Sequence, residues 1–456
     1  MPIVLGDPLA RIAAWTRRWS AILPLLAAEL IVWLGFGALL PVMPLYFTAH
    51  GVDLRTLGVV VAAWPAARLI GEPVFGWLAD RVPRVPLMVA GNVAAGIFLF
   101  LPLVFVGAAP FIVLRALAGL STAVYDPAAR GYITDATPPD RRGEAFGMYG
   151  AAQMGGLLLG PAIGGFGSAA FGGVAFIFVF GAISSFVAAA AIALRVRETP
   201  RDVAAAVSGP RTRSVTLDFT EFPHEPGHVA GRASRQLDDA ATGDGEGKDQ
   251  GWGRFGLTPS SLANRLLVAA ILFTVGGNFA AGTYEVIWSV YLSRLGAGLD
   301  LIGLTFAMFG LPVLILSPAF GRRADRGGIV RYLVAGTVLP VAAALVYTVI
   351  RDPLLALPLV LVEATGFAMF NPALFSIVAA GSPPGRSSTA QGVFGAAGTL
   401  GFVIASLLTG TLAEIDIRLP FYMFAAVMSL FTVAAFASGG RALANRAQAR
   451  IEARAA

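Results

Sequence analysis

The chain has 456 residues, of which 56% are hydrophobic and only 13% are charged, and it contains no cysteine. Because about a quarter of the residues of a soluble domain are charged, this composition excludes an ordinary water-soluble protein. The lack of cysteine excludes disulfides and thiolate metal sites. The net charge of +6 does not indicate a nucleic-acid partner, since the arginines concentrate in the loops on one side of a series of apolar segments.

Twelve apolar segments follow one another along the chain. Each is long enough for a helix of about 20 residues to cross the hydrocarbon core of a membrane. The segments are continuously apolar, whereas the strands of a membrane barrel alternate apolar and polar residues, so they predict helices. The expected fold is an all-α membrane protein with 12 transmembrane helices. We number as spans 1 to 12 the segments Trp15–Phe47, Leu57–Leu78, Val85–Val106, 109–131, 144–167, 172–194, 265–293, 300–320, 332–350, 353–380, 388–413 and 419–438.

The placement of arginine predicts the orientation of these spans. With the N-terminus inside the cell, the outer loops hold only Arg55, Arg294, Arg351 and Arg418, and the remaining arginines, apart from Arg68 and Arg115, fall in the inner segments. This is the pattern of the positive-inside rule, so we expect both termini in the cytoplasm. The first apolar run is too long for the core of a cleavable signal peptide. We therefore expect a multi-pass protein of a bacterial cytoplasmic membrane.

The chain repeats itself at an offset of 245 positions without a gap. The residues that match are Tyr46 with Tyr291, Gly51 with Gly296, Gly58 with Gly303, Pro73 with Pro318, Gly76 with Gly321, Asp80 with Asp325, Arg81 with Arg326, Pro127 with Pro372, Pro138-Pro139 with Pro383-Pro384, Gly147 with Gly392 and Gly150 with Gly395. Two six-helix halves that run parallel are the arrangement of a rocking transporter. The predicted organisation is a cytoplasmic segment 1–19, a bundle 20–194, a cytoplasmic linker 195–264, a second bundle 265–438 and a cytoplasmic tail 439–456.

The linker contains DDAATGDGEGKDQG and few apolar residues, which predicts a largely disordered segment. His224 and His228 lie four apart within it, but Pro223 and Pro226 oppose a helix there. We therefore predict no metal site.

Several motifs resemble those of one transporter family. GWLADRVPR at 76–84 resembles the G-x-L-a-D-r-x-G-r signature of the major facilitator superfamily, and GRRADRGG at 321–328 resembles its second copy. RALAGLSTA at 115–123 is similar to the family's fourth-helix motif, with Arg115 as its arginine. GAAQMGGLLLGPAIGG at 150–165 is similar to the fifth-helix motif of proton-coupled drug antiporters, and PVMP at 41–44 fits the end of their first helix. The resemblance covers the chain apart from the linker and termini, and implies the 12-helix drug:proton antiporter branch with two pseudo-symmetric bundles.

The resemblance also implies a cytoplasmic gate, composed of Gly76, Asp80, Arg81, Arg84, Asp126, Arg130, Asp325 and Arg326. In the family, Asp80 would contact the eleventh helix and Arg84 would pair with an acidic residue on span 4, for which Asp126 is the obvious candidate. At the repeat offset both Arg84 and Asp126 lose their charge, as a pair predicts. The alternative is that these are ordinary inner charges that orient the helices. Pro83 and Val85 replace a glycine and a basic residue of the signature, which predicts a stiffer loop and a weaker lock.

The fifth-helix motif places small residues at helical spacing, which permits close helix contact, and its proline can bend the helix. Its residues are Gly156, Gly160, Pro161, Gly164 and Gly165. The second half has Ala405, Ser406 and Thr409 at matching positions, so we expect this contact surface in the first half only. The resemblance implies that the helix seals the cavity against leak. The alternative is generic small-residue packing.

Six charged residues fall well inside predicted spans, away from the span ends, namely Glu29, Arg68, Glu72, Arg115, Glu285 and Glu363. Each costs about 2.5–3.5 kcal/mol or more at the bilayer centre unless it is paired or hydrated. None has a charged equivalent at the repeat offset, which suggests substrate and proton chemistry rather than architecture. Arg68 and Glu72 are four apart on one helix face and predict an intrahelical pair.

The other charges predict a proton-coupling and substrate cavity, which comprises Glu29, Trp33, Arg115, Asn278, Tyr284, Glu285 and Glu363. Glu29, with aromatic residues on its face, or Glu285, beside Tyr284 and near Trp288, can hold a proton and release it when a cationic or polar solute arrives. Glu363 is a third candidate. Each carboxylate has the structural alternative of a hydrogen bond to a neighbouring helix. Arg115 either tunes one of these carboxylates or binds an anionic solute.

The sequence thus predicts a secondary active exporter, driven by the proton gradient without a cofactor, that moves amphipathic or drug-like molecules by alternating access. We expect it to be a monomer in the lipid bilayer. Alternatives are a metabolite or sugar symporter or facilitator, a lipid or lysolipid flippase, and a sensor or assembly protein without flux. The sequence has no G-x-x-x-x-G-K-[ST] phosphate-binding loop, so we do not expect ATP-driven pumping. No set of nucleophile, base and acid indicates an enzyme, since His50, His224 and His228 all fall in predicted loops.

Overall fold

The computed structural model of the protein describes residues 14–138, 141–171, 173–198, 264–324, 329–381 and 387–455. Within these ranges the regular structure is helical. The helices are α1 (Leu23–Leu39), α2 (Met43–Ala49), α3 (Leu54–Ala79), α4 (Arg84–Phe100), α5 (Ala108–Ala136), α6 (Arg142–Ala170), α7 (Phe176–Arg195), α8 (Arg265–Arg294), α9 (Leu299–Arg323), α10 (Ile329–Tyr347), α11 (Ala356–Gly381), α12 (Ser387–Ile415) and α13 (Leu419–Ala455), with short 3-10 turns at Leu101–Leu103 and Pro353–Leu355.

Eleven of the twelve predicted spans correspond to helical segments that are long and apolar enough to cross a membrane. Ten are single helices, and the eleventh is the pair α1 and α2, which meet at 44°. Pro41 lies at this bend, and proline removes a backbone donor and breaks a helix. The remaining span, α6, is 29 residues long, or roughly 43 Å at 1.5 Å per residue. Its glycines make it less apolar than the others, and it packs against α1 and α9.

Local capping explains where several helices begin. Asp53 precedes α3, and its carboxylate accepts hydrogen bonds from the Thr56 backbone N–H at 2.7 Å and the Thr56 hydroxyl at 2.8 Å. Gly51, two residues earlier, has a φ of 82°, and its repeat equivalent Gly296 has a φ of 91°. That left-handed conformation favours glycine, which explains why this match survives in both halves.

Helix α4 begins differently, because Pro83 precedes it and offers no side-chain cap. The carboxylate of Glu198, which follows α7, accepts hydrogen bonds from the backbone N–H groups of Arg84 and Val85, both at 2.9 Å. These are two of the amide groups that a helix start leaves without an intrahelical partner. The chain segment leaving the first half is therefore held at the start of α4.

Each half packs as a bundle through the same pairs of helices. In the first half α1 packs against α6 and α7, and α5 packs against α3 and α4. In the second half α8 packs against α12 and α13, and α11 packs against α9 and α10. Gly37 of α1 lies against the backbone of Gly156 and Gly160, and its repeat equivalent Gly282 lies against Phe402 and Ala405. Small residues let the helix backbones approach closely in both halves.

The two halves touch through a contact that occurs twice. A Cβ added to Gly303 of α9 would lie 2.8 Å from the Cα of Gly165 and 2.9 Å from the carbonyl oxygen of Pro161 on α6. At the repeat-related place, Gly58 of α3 lies against the carbonyl oxygen of Ser406 and the Cα of Gly410 on α12. The residues correspond at the offset of 245, namely Gly58 with Gly303, Pro161 with Ser406 and Gly165 with Gly410. The expectation that only the first half keeps this contact surface is therefore wrong in part, because Ser406 and Gly410 do in the second half what Pro161 and Gly165 do in the first.

The halves are apart at the other end of the bundles. We call this end, which carries Arg81, Arg84, Arg141, Arg195 and Arg265, the basic end, and we call the end where the halves touch the opposite end. A Cβ added to Gly147, Gly150, Gly392 or Gly395, near the basic end, would meet no atom within 4 Å. The aromatic side chains of Trp77 and Phe375, also near this end, are 57% and 62% exposed. The fold therefore leaves a space between the halves that opens at the basic end.

Helix α13 continues without a break to Ala455, although the predicted second bundle ends at 438 and a tail follows. The linker predicted at 195–264 falls almost entirely outside the described residues, as do His224 and His228.

Candidate functional site

An ion pair joins the two halves near the opposite end. The guanidinium Nη2 of Arg115 on α5 lies 3.1 Å from Oε1 of Glu285 on α8, and the two side chains are only 7% and 13% exposed. Arg115 follows the start of α5 by seven residues and Glu285 precedes the end of α8 by nine. The Nε of Arg115 is buried without a hydrogen-bond partner. The sequence placed both residues in the cavity, and the structure brings them together across the two halves.

A row of aromatic rings extends from this pair into the first half. The Cζ of Arg115 lies 6.0 Å from the centre of the Trp64 ring, and that of Arg68 lies 5.4 Å from it. Phe36 packs on Trp64 at 5.2 Å, and Trp33 packs on Phe36 at 5.4 Å. Guanidinium groups at such distances are attracted to the electron-rich ring face. Trp64, which the sequence analysis did not single out, therefore lies between two arginines.

Glu29 ends this row and is completely buried. Its carboxylate accepts hydrogen bonds from Nε1 of Trp33 at 2.9 Å, from the hydroxyl of Tyr125 at 2.5 Å and from Nε2 of Gln153 at 2.6 Å. The donors come from α1, α5 and α6, so three helices converge on one carboxylate. The structure thus gives Glu29 the neighbouring-helix hydrogen bonds that the sequence left open as its structural alternative.

A second ionic cluster lies between α3 and α5. Arg68 contacts Glu72 at 2.7 Å, as their spacing predicts, and also contacts Asp126 on α5 at 2.6 Å. Arg130 reaches Glu72 at 3.4 Å and donates to the backbone carbonyl of Asp126 at 3.3 Å. Asp126 is nearly buried, whereas Arg68, Glu72 and Arg130 are 26%, 32% and 45% exposed. The cluster therefore connects a buried carboxylate to accessible charges.

The predicted pair of Arg84 with Asp126 is wrong. Arg84 pairs with Asp135 at 3.1 Å, and its guanidinium fills the space where a Cβ on Gly131 would stand. Asp126 precedes Asp135 by nine residues, which places it roughly 13–14 Å further along α5 from the basic end, and there it binds Arg68. The gate charges therefore sit on α5 at two different depths.

The contact of Asp80 with the eleventh helix, implied by the resemblance, is not seen among the described residues. The Asp80 side chain is 75% exposed and lies 3.9 Å from Arg84. The physical reason is the separation of the halves at the basic end. Asp325 and Arg326, the second-half gate residues, fall outside the described residues.

The other gate residues of the first half lie at the exposed end of α3. Arg81 stacks on Trp77 at 3.9 Å and donates a hydrogen bond to the Trp77 carbonyl at 3.1 Å. Gly76 faces Pro127 of α5, whose Cβ is 3.9 Å from the position of an added Cβ. These contacts all remain within the first half.

Glu363 and Tyr284 form a separate, buried group in the second half. The hydroxyl of Tyr347 donates to Glu363 at 3.0 Å, and the Tyr284 hydroxyl faces the same carboxyl. Trp288 packs on both Tyr284 and Tyr347. Tyr284, which is beside Glu285 in the sequence, therefore belongs to the Glu363 group, because adjacent positions of a helix face different directions.

Asn278, another predicted cavity residue, donates hydrogen bonds to Thr274 of its own helix at 3.0 and 3.1 Å. The predicted cavity thus divides into Glu29 with Trp33, Arg115 with Glu285, and Glu363 with Tyr284. Asn278 joins none of these three groups through a side-chain hydrogen bond.

The fifth-helix motif presents two faces. Gly156, Gly160 and Gly164 lie against the backbone of α1 within the first half, and Pro161 and Gly165 lie against α9 of the second half. One helix therefore packs its own bundle and forms the contact between bundles.

Sequence reasoning missed Tyr125, Gln153, Asp135 and Glu198, which carry many of these contacts. The repeat offers a signal for Tyr125 and Gln153, because the corresponding positions of the second half, at the offset of 245, hold the different residues Phe370 and Gly398. In the described part of the chain no three His, Asp or Glu side chains are grouped as a metal site requires.

The geometry defines a polytopic helical protein with two related bundles and charged groups between them. The sequence pattern of the Major Facilitator Superfamily matches residues 25–289 and 266–451, and the chain belongs to this family of transporters.

It is similar to the quinolone resistance protein NorA of Staphylococcus aureus, strain MRSA252, with 30% identity over 136 residues that make up 30% of this chain and 35% of that protein. It is also similar to multidrug resistance protein 2 of Bacillus subtilis, strain 168, with 33% identity over 145 residues, or 31% and 36% of the two chains. The matches thus span about a third of these relatives.

Solved structures share the fold over nearly the full chain. A bacterial homologue of the human lysosomal transporter Spinster, in an inward-facing and unoccupied conformation, matches with a TM-score of 0.61 and 16% identity over 97% of this chain and 98% of that one. The nucleoside transporter NupG matches with a TM-score of 0.61 and 13% identity over 91% of this chain and 98% of that one.

Proposed function

We propose that this transporter is a proton-coupled antiporter that exports amphipathic small molecules across a bacterial plasma membrane. The observation that carries the proposal is the ion pair between Arg115 and Glu285, which belong to different halves. The distribution of arginine supports a cytoplasmic position for the basic end. The space between the halves then faces the cytoplasm, and the glycine contacts at the opposite end close the outer side.

Alternating access requires the halves to separate at the opposite end, and that motion takes Arg115 away from Glu285. Removing one partner of a buried pair costs about 3–5 kcal/mol, because the other charge stays buried without compensation. A carboxylate without its partner avoids this cost by binding a proton. In the outward-open state Glu285 takes this proton from the outside, and the return of Arg115 then displaces it into the cytoplasmic cavity. Each cycle moves a proton inwards.

The solute moves in the other direction. The aromatic row of Trp33, Phe36 and Trp64 supplies flat apolar surface beside two guanidinium groups. Such a surface suits planar molecules with an apolar body and a polar group. Partial matches to proteins named for quinolone and multidrug resistance support the same class of solute.

The test uses purified protein in liposomes with a pH-sensitive dye inside and a panel of cationic, zwitterionic, neutral and anionic aromatic compounds. We expect at least one compound to drive proton movement through the unaltered protein. Glu285→Gln should abolish this movement. Glu363→Gln is the matched control, since Glu363 is also a buried glutamate but binds Tyr347 within one half.

Proton movement that persists in Glu285→Gln would contradict the proposed role of the ion pair. If no compound moves protons through folded, unaltered protein, the antiport proposal is wrong. The next assays are then uptake of sugars and other metabolites, and lipid flipping.

A further inference from the structure

The carboxylate of Glu29 is reached only through the groups that bind it, because the residue is completely buried. Its three donors differ in chemistry. The indole N–H of Trp33 and the amide of Gln153 donate hydrogen bonds but do not readily accept a proton and pass on another. A phenol hydroxyl is both donor and acceptor, so Tyr125 can give its proton to Glu29 and take another on its free lone pair.

Tyr125 also lines a small cavity. This cavity, of about 40 Å³, lies among α1, α3, α4 and α5, with Trp33, Trp64, Asn92, Ser121 and Asp126 in its wall. A water molecule needs about 10–15 Å³ of such volume and two or more polar partners, so the cavity has room for about three.

The polar groups of this wall need partners that the protein does not supply. The amide Nδ2 of Asn92 has no hydrogen-bond partner, although Asn92 is only 2% exposed. The hydroxyls of Ser121 and Thr122 donate hydrogen bonds to the backbone carbonyls of Leu117 and Ala118 in their own helix, at 2.8 and 3.1 Å. Their oxygens remain free to accept. One free donor and several free acceptors around a cavity of this size form a site for ordered water.

Asp126 connects this cavity to the ion cluster between α3 and α5. It lines the cavity, and its carboxylate binds Arg68, which is 26% exposed and in turn binds the 32% exposed Glu72. A continuous series of polar groups therefore runs from an accessible ion cluster through Asp126 and the cavity to Tyr125 and Glu29.

The second half has lost this whole series at once. At the offset of 245 the residues that replace its members are Thr274 for Glu29, Phe370 for Tyr125, Asn371 for Asp126, Thr337 for Asn92, Val313 for Arg68 and Ser317 for Glu72. The scaffold glycines survive in both halves, as Gly58 and Gly303 do. Joint loss of all members is what a single functional unit predicts, whereas unrelated packing residues would be lost independently.

We propose that Glu29 is a buried proton-binding site, that the cavity holds the water that reaches it, and that Tyr125 is the group that passes the proton. A hydronium ion in the cavity gives a proton to the Tyr125 oxygen while Tyr125 gives its own proton to Glu29. The products are water, neutral phenol and neutral carboxylic acid. Besides Tyr125, the titratable groups that face Glu29 are Asp126 of α5 and Tyr149 of α6. The use of the stored proton in transport rests on the proposed function, but its binding does not.

The test needs no solute. Infrared difference spectra of the full chain in lipid nanodiscs, recorded after a rapid drop in pH, follow the C=O band of the carboxylic acid. We expect a band that grows after the drop and is absent from Glu29→Gln. Tyr125→Phe keeps the ring but removes the hydroxyl, so the band should grow about a hundredfold more slowly, which is the lower range of the contribution of a positioned proton-transfer group.

Three further variants make the assignment specific. Tyr132→Phe removes a phenol hydroxyl of the same helix whose hydrogen bonds go to the backbone carbonyls of Ala21 and Arg197 rather than to Glu29, so it should leave the rate within about twofold of the unaltered protein. Asn92→Leu fills the cavity and should slow the growth of the band. It tests the water site independently, in case Tyr125→Phe does not fold. Tyr149→Phe tests the other phenol, whose buried hydroxyl makes no direct hydrogen bond.

A Glu29 band that does not change with pH would overturn the proton-binding site. Unchanged kinetics in Tyr125→Phe, or slowing in Tyr149→Phe instead, would overturn the role of Tyr125. These results are independent of the liposome assay, which tests Glu285 and the coupling to a solute.

Discussion

Replacing Gly303 with alanine should drive the halves apart at the opposite end. The new Cβ would lie 2.8 Å from the Cα of Gly165 and 2.9 Å from the carbonyl oxygen of Pro161, both on α6 of the other half. Backbone atoms cannot rotate away, so α9 and α6 must separate. Overpacking of this kind costs about 1–3 kcal/mol, and the gain of alanine over glycine in a helix, about 1 kcal/mol, is the same in both conformations. The penalty therefore falls only on the closed contact.

A penalty of about 2 kcal/mol changes the ratio of the two conformations by about thirtyfold. Because the chain has no cysteine, introduced cysteines can be spin-labelled without background. Labels at Arg55→Cys and Glu414→Cys report the distance between halves at the opposite end, by double electron–electron resonance. We expect the long-distance population to grow in Gly303→Ala, and in Gly58→Ala through the repeat-related contact.

Gly147→Ala and Gly392→Ala are the controls. They are the same substitution at a repeat-related pair, but a Cβ at either position meets no atom within 4 Å. Their distances should match those of the unaltered protein. If Gly303→Ala folds and its distance distribution equals that of the controls, the glycine contacts do not set the closed state, and the reasoning from Cβ geometry fails.

Two further predictions concern the ends of helices. A double-mutant cycle should give a coupling of about 1 kcal/mol between Arg84 and Asp135 and none between Arg84 and Asp126; coupling to Asp126 in thermal unfolding would contradict the observed pairing. Asp53→Ala should cost about 1 kcal/mol through loss of the α3 cap. Hydrogen bonds from Thr56 lower the pKa of Asp53 from its ordinary value of 3.8, so its contribution is present above that value and is lost as the pH falls below it. The unfolding temperatures of the unaltered protein and of Asp53→Ala should therefore differ at neutral pH and converge at acid pH.

The spans and the repeat could be predicted from sequence because both depend on patterns that are local or periodic. Apolar runs, prolines and positive-φ glycines keep their meaning whatever the neighbouring helices do. The recognition of the family and of the helical membrane fold is confirmed by the family match and by the structures that share the fold. Span 5 shows the limit, since α6 owes its place to packing against α1 and α9 more than to its own hydropathy.

The pairing of charges could not be predicted, and Arg84 explains why. Joint loss of charge in the second half identified Arg84 and Asp126 as members of pairs, which is correct for each residue. Arg68 and Asp135 are lost in the same comparison, as Val313 and Ala380. Two pairs lost together leave the assignment of partners open, and only their depth along α5 resolves it. The donors to Glu29 are uncharged and lie on three helices, so the repeat marks Tyr125 and Gln153 as positions that differ between the halves but does not join them to Glu29.

The cap on α4 has a consequence for dividing the chain. The amide groups of Arg84 and Val85 depend on the carboxylate of a residue more than 110 positions later, just after α7. If the two bundles are expressed as separate polypeptides, a cut placed after Glu198 leaves the first one with its α4 start complete. A cut placed between Arg195 and Glu198 moves the cap to the other polypeptide. The boundary of the first folding unit therefore lies beyond its last transmembrane helix, at a residue that belongs to the linker by composition and to the bundle by its bonds.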